Sequence, residues 1–377
     1  MNNPGHWRLI TDDGVSASFG LAADETLCRR VGRGESPPTL RLYTYRSHCV
    51  LVGRFQTAEN EVDLDCCRDH GIPVGRRPTG GGAILMGEDQ LGIALTLSGQ
   101  GRDAYGRARE LMARFADGLV RGLKGFGMGA AFRRKNDVEV GGRKVAGLGI
   151  YRHASGGLLF HASLLLDLDV PLMLCVLKTC FEKISDKGIQ AMEARICTVR
   201  GETGRNWELD EVRAGMAAAY GEEFGVDLLP VSFTPEERRE IELLERSKYL
   251  ARDWIFQAGK VQDSSGMIRV KTPGGLLEIR ARLAGRTLKA IRLAGDFFAS
   301  ESAVADLESS LRWHPIESGA LARTLERVYL ERKGELGTIP LESLTEAVLS
   351  AVGQAKLAGP EAASPYGCFV NPGASHE

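Results

Sequence analysis

The sequence predicts an α/β chain of α+β character, with a larger first domain and a small second one. Three observations carry this. At 377 residues the chain exceeds what one apolar core usually encloses. Strand-like runs cluster around glycine-rich motifs in the first 170 residues, with amphipathic helical runs between and after them. After about Gly259 the texture changes to short alternating strands, so the expected division is 1–259, 260–357 and a mobile tail at 358–377.

The elements follow in order. Thr39–Tyr45 and Cys49–Val52 alternate with period two and read as a hairpin. Asp103–Lys124 reads as an amphipathic helix, with Leu111, Phe115 and Leu119 at i+4 spacing and Ala108, Met112 and Val120 widening the stripe. Pro171–Phe181 and Leu209–Phe224 are further helices. Thr234-Pro235-Glu236-Glu237 opens another, with an N-cap threonine, proline at the first position and acids in the first turn. Trp254-Ile255-Phe256 is expected to pack it back on the first domain. Ile268–Lys271, Leu276–Leu283 and Leu288–Leu293 form an antiparallel meander broken by Pro273-Gly274-Gly275 and Gly285-Arg286. Helices at Ala303–Leu311 and Leu341–Ala351 follow.

Forty-eight basic against 49 acidic residues leave no global field, which argues against a dedicated nucleic-acid binder. Locally, the segment from Arg102 to Lys144 is biased to basic residues and suits an acidic protein partner. No run approaches the roughly 20 apolar residues of a membrane span. The N-terminus lacks a basic region leading into an apolar one, so a cytoplasmic protein is expected, as a monomer.

Three motifs bear on chemistry. In Arg76-Arg77-Pro78-Thr79-Gly80-Gly81-Gly82-Ala83, three glycines lose much backbone entropy on ordering. A chain tolerates that where backbone N–H groups must approach an anion closely, and arginine adds bidentate recognition. A tight turn with solvated arginines is the plainer alternative. In Asn136–Gly147, Val138 and Val140 alternate with polar neighbours and Gly141-Gly142 supplies a primed turn. Lys144 then stands on a rigid strand, where an ammonium can neutralise developing charge. Leu159–Leu166 reads as a buried strand in which His161 is either a core histidine or a site residue.

Taken in this order, the motifs resemble those of the lipoate–protein ligase family, within the biotin/lipoate ligase superfamily. That family carries an Arg-Arg-x-[ST]-Gly-Gly-Gly-Ala-Val-x-His loop, an Asn-Asp…Gly-Arg-Lys-[IV]-x-Gly hairpin and a His-Gly-[ST]-Leu-Leu strand. Here they stand at Arg76–Met86, Asn136–Gly147 and His161–Leu165. Ser18–Glu25 is similar to the family's first helix, and Gly295-Asp296-Phe297-Phe298 to its longer members' accessory domain.

The resemblance implies a mixed-sheet catalytic domain and ATP-dependent attachment of lipoate, through lipoyl-AMP, to a lysine of a lipoyl carrier. An E2 subunit or a glycine-cleavage H protein would be such a carrier. It implies Lys144 as the catalytic cation bridging carboxylate and α-phosphate. Arg76, Arg77, Thr79, Gly80, Gly81, Gly82 and Ala83 would line the acyl-adenylate, with Gln90, Asn136, Gly147, His161 and Ser163 nearby. Asp137 would hold Mg²⁺, a hard cation that favours carboxylate oxygen.

One position departs from the pattern. Met86 stands where the family has histidine, removing a strong hydrogen-bonding group and offering a flexible apolar one. The eight cysteines form no Cys-x-x-Cys pair, and reduced thiols are expected, with Cys28, Cys175 and Cys180 as small buried hydrophobes. Two alternatives to the ligase remain. One is an octanoyl or lipoyl transferase between carriers that needs no ATP and works through a cysteine thioester. The other is a non-catalytic carrier-binding protein.

Overall fold

Ser16 starts the first long helix, Ala17–Arg33, by accepting the Phe19 amide, and Gly34 ends it in the left-handed region at φ 74°. This computed structural model describes residues 5–99, 103–133, 136–178, 186–257 and 265–358. The expected boundary at Gly259 and the tail from residue 359 lie outside them.

The helix packs on an eight-stranded mixed sheet. Its strands run in the order Asp227–Pro230, His6–Val15, Thr39–Tyr45, Gln90–Ser98, Gly157–Leu165, Arg143–Arg152, Asp137–Val140, Ala130–Arg133. The first two pairings are parallel and the rest antiparallel. Leu40 and Leu42 face a core shared with helices Ala108–Gly125 and Leu209–Phe224. Tyr43 and Tyr45 face the opposite core with Leu21 and Leu27. Helices on both faces explain why the strand Thr39–Tyr45 is buried throughout.

That burial also corrects the expected hairpin. Thr39–Tyr45 pairs with His6–Val15 and Gln90–Ser98, while Cys49–Val52 joins a separate three-stranded sheet. There it pairs in parallel with Val74–Arg76 and antiparallel with Ile84–Met86. Period-two alternation identified two strands but carried no information about which neighbours they take.

Helix Ala108–Gly125 starts later than expected. Residues 103–107 form turns, held where the Gly106 amide donates to the Gly334 carbonyl. Helix Val170–Val176 is shorter than Pro171–Phe181, because Leu177 leaves to form a bridge with Val62. Residues 179–185, including Cys180, lie outside the described ones. Cys175 is no free thiol: it is bonded to Cys66 on helix Leu64–Asp69. Leu209–Phe224 is a helix at the expected bounds, and Pro235–Leu244 opens on a Thr234–Glu237 capping box.

Strands Gly266–Thr272, Gly275–Ala284 and Thr287–Gly295 make the meander, extended by His314–Pro315. They enclose a second core with helices Glu301–Leu311, Ser318–Glu331 and Leu341–Leu357. The middle helix was not anticipated. The large mixed sheet and the separate antiparallel sheet give the α+β architecture the sequence predicted.

Besides the Gly106–Gly334 hydrogen bond, contacts between the two parts gather at Arg54 and Phe55. Phe297 stacks on Phe55 with centroids 4.7 Å apart, and Phe298 is buried in the core of the large sheet. Arg54 bonds Glu301 and lies over the Trp254 ring.

Candidate active site

Gly141 and Gly142, at φ 56° and 82°, close the hairpin Asp137–Val140/Arg143–Arg152 as a primed turn requires. Lys144 follows, its Nζ 2.8 Å from Asp137 Oδ1 and its side chain 33 % exposed. The aliphatic stem lies over Gly147, where a Cβ would come within 2.9 Å of Nζ. The backbone of Lys144 is held from its other side: its amide donates to the Arg195 carbonyl, and its carbonyl accepts from Cys197. Asn136 Nδ2 donates to the Leu148 carbonyl at 2.8 Å, fixing the entry to the hairpin.

The glycine-rich loop is built around its two arginines. Arg76 is fully buried, and its guanidinium donates to the carbonyls of Gly53, Arg54, Gln56, Trp254 and Ile255. Burial draws its pKa down to about 9, so it stays charged at neutral pH. Arg77 donates to the carbonyls of Leu51, Gly80 and Gly82 and to Thr79. The expected ligand role of Arg76 is corrected by this arrangement. It does not line the cavity, and its donors organise backbone instead.

The glycines divide the same way. A Cβ on Gly80 would lie 2.1 Å from the Phe297 carbonyl oxygen. Gly81 has φ 96°, with Arg77 and Phe298 beside it. Gly82 alone faces open space. Close approach of the Phe297 backbone accounts for Gly80, and the positive φ accounts for Gly81.

These elements surround a cavity of about 180 Å³. Leu21, Tyr43, Tyr45, Leu51, Ile84, Met86 and Leu148 give it apolar walls, and Lys144, Asp137, Asn136, Arg77, His161 and Ser163 give it polar groups. Gly82, Ala83 and Gly147 also line it. His161 shares a hydrogen bond of 2.8 Å with Thr79, and burial brings its pKa to about 3, with Arg77 adding to the effect. The ring is neutral at ordinary pH. Of the expected site residues, Thr79 stands behind His161. Gln90 is elsewhere: it is fully buried, and its Nε2 donates to the Asp167 carbonyl. Sequence reading missed Leu21, Tyr43, Tyr45 and Leu51. Alternation along Thr39–Tyr45 marked one face of that strand without saying it borders a cavity.

Asp137 is the one carboxylate on this cavity among the described residues, and its oxygen is taken by Lys144. A single carboxylate, already paired with an ammonium, is no dedicated cage for Mg²⁺, which takes one or two carboxylates together with substrate phosphates and water. The described free cysteines, Cys28, Cys49, Cys67 and Cys197, are buried and off the cavity. Burial raises their thiols, those of Cys67 and Cys197 to about 11.

The profile of the lipoyl protein ligase A/B catalytic domain matches residues 16–221, spanning the glycine loop, the hairpin and the His161 strand. The chain belongs to that family. This lipoyl ligase A/B family member is 32 % identical to Octanoyltransferase LipM of Kyrpidia tusciae over 273 residues. The match takes in 67 % of this chain and 98 % of that protein. It also resembles the bi-partite lipoate protein ligase of Thermoplasma acidophilum, described with its E2 lipoyl domain. There the TM-score is 0.60 at 28 % identity, over 67 % of this chain and 96 % of that one. P. falciparum LipL1, solved with lipoate, matches 91 % of this chain and 99 % of its own at TM-score 0.68. At 16 % identity, that likeness concerns the fold alone.

These relatives correct the ATP-dependent ligase reading. LipM octanoyltransferases from several further bacteria match over similar spans of this chain, so the family member aligns with acyl transferases. The loop, hairpin and strand motifs all lie within the matched segment and by themselves do not separate adenylation from transfer. Among the described residues no helix is long and apolar enough to cross a membrane.

Proposed function

We propose that this chain is an acyltransferase that moves an octanoyl-sized group from a carrier thioester to a lysine of a lipoyl carrier domain. The observation that carries this reading is the cavity itself. The apolar chamber carries the Lys144 ammonium, paired with Asp137, while the other cation lining it, Arg77, has its donors committed to the carbonyls of Leu51, Gly80 and Gly82. The LipM relatives support the choice of transfer.

An acyl tail would lie among Leu21, Tyr43, Leu51, Ile84 and Met86, leaving its carbonyl near Lys144. The flexible Met86 thioether adapts to a chain that a histidine would meet with a polar edge. The carrier's lysine amine attacks the thioester carbon, forming the C–N bond. Lys144 donates to the oxygen as negative charge builds there, the electrostatic contribution such sites make. The C–S bond then breaks, and the thiolate leaves with the proton shed by the attacking nitrogen. His161, held neutral, positions Thr79 and shapes the wall. The four described free thiols stay protonated and away from the carbonyl. A cytoplasmic setting, with a lipoyl carrier as partner, belongs to the same reading.

Intact-mass analysis tests it. Octanoyl thioester on a carrier protein, mixed with the enzyme and an apo-lipoyl domain without nucleotide, should yield a lipoyl domain heavier by one octanoyl group. No modification above the enzyme-free rate would overturn the proposal.

A further inference from the structure

Cys66 and Cys175 come from helices 109 residues apart in sequence, and their bond ties Leu64–Asp69 to Val170–Val176. A third donor meets them. His70 caps the first helix one turn beyond Cys66, and its Nδ1 lies 3.7 Å from Cys66 Sγ. All three donor atoms fall within 4.8 Å of one another. A disulfide has no need of an imidazole. Two sulfurs and one ring nitrogen converging from two helices make a donor set suited to a soft or borderline divalent ion.

We propose that, in its reduced state, this chain binds a zinc-class divalent ion through Cys66, Cys175 and His70. The two states interconvert by balanced chemistry. A dithiol reductant transfers two electrons and two protons to the Cys66–Cys175 bond, giving two thiols and the reductant's own disulfide. Metal binding then releases both thiol protons, since the thiolate is the ligand. The Cα atoms stand 6.1 Å apart. Side-chain rotation can therefore open the sulfurs to the separation that two Zn–S bonds of ~2.3 Å require. In the disulfide state Nδ1 donates to the Cys66 carbonyl oxygen at 2.9 Å, and metal binding gives up that bond as the proton moves to Nε2. The tautomer with its proton on Nε2 frees Nδ1 for the ion. A water would fill the fourth position.

Neither helix lines the cavity with Lys144. Helix Val170–Val176 nonetheless joins the His161 strand to Leu177, which borders a second pocket with Gly82 and Ala83. An ion here would staple the path between them.

The test uses the full chain, reduced and desalted without air, with Co²⁺ as the spectroscopic probe and Zn²⁺ as competitor. Reduced protein should take one Co²⁺ per chain, with sulfur-to-metal charge-transfer absorption that Zn²⁺ erases. Oxidised protein should take none. His70→Ala should weaken binding by more than the roughly 10–100-fold that loss of a mere supporting group costs. Cys66→Ser/Cys175→Ser should abolish it. Because that double variant could misfold, Zn²⁺ protection of thiols from alkylation is mapped in the wild type. Protection at Cys66 and Cys175 supports the site. Protection elsewhere, no protection, or equal Co²⁺ uptake by the double variant overturns it.

Discussion

Gly80 and Phe297 meet so closely that a single methyl group between them would overlap the Phe297 carbonyl oxygen, at 2.1 Å. The glycine loop of the first part is thus seated on a backbone turn of the second. Gly80→Ala should force the two apart, at about 1–3 kcal/mol, as overpacked sites show. Thermal unfolding should register the loss, and acyl transfer should fall in the fraction still folded. An unchanged midpoint would mean the loop yields without cost.

Lys144→Ala should lower transfer by about 10²–10³-fold, the range seen when one donor to a developing oxyanion is removed. The side chain is one-third exposed, lying over Gly147 and paired with Asp137, so circular dichroism and melting should change little. Near wild-type turnover in the alanine variant would remove Lys144 from the proposed chemistry.

Arg76→Lys separates a structural arginine from a ligand-binding one. An ammonium has three donors in place of a planar fork, so it strands several of the five carbonyls that Arg76 now serves. A loss of about 3 kcal/mol or more is expected, from buried acceptors left unpaired. Acyl-donor affinity of the folded protein should hold. Weaker affinity with an unchanged melting point would reverse this assignment.

His161 makes a pH-dependent contribution whose sign is set by its lowered pKa. The folded state keeps the ring neutral, whereas the unfolded chain takes up a proton below about 6.5. Stability from this group is therefore complete above pH ~6.5 and is lost as pH falls toward about 3. His161→Gln should flatten that acid slope in a series of chemical denaturations. The pH profile of transfer near neutrality should be unaffected, since the ring does not titrate there.

Local rules were legible in the chain; spatial assignment was not. Leu209–Phe224, the Thr234 cap, the meander and the Gly141-Gly142 hairpin each depend on neighbours within a few residues, and each stands where the sequence put it. Lys144 was legible because its hairpin is local. Tyr43 and Leu51 were not, because which face of a strand borders a cavity depends on the helix laid over it. The two arginines looked like anion receptors because type and spacing alone cannot show that carbonyls from Gly53 to Ile255 would claim their donors. Likewise Cys175 finds Cys66 only once helices 109 residues apart are packed together.

Lys144 sits on a strand edge whose outer neighbour, Ile196, arrives in parallel from beyond the His161 strand. The ammonium's address is therefore written in two distant stretches of chain. A graft of the Asn136–Gly147 hairpin into another scaffold would carry the amine but leave behind the rail that fixes its height. Insertions between Leu165 and Arg195 would, conversely, shift the Lys144 ammonium without touching any residue that lines its chamber.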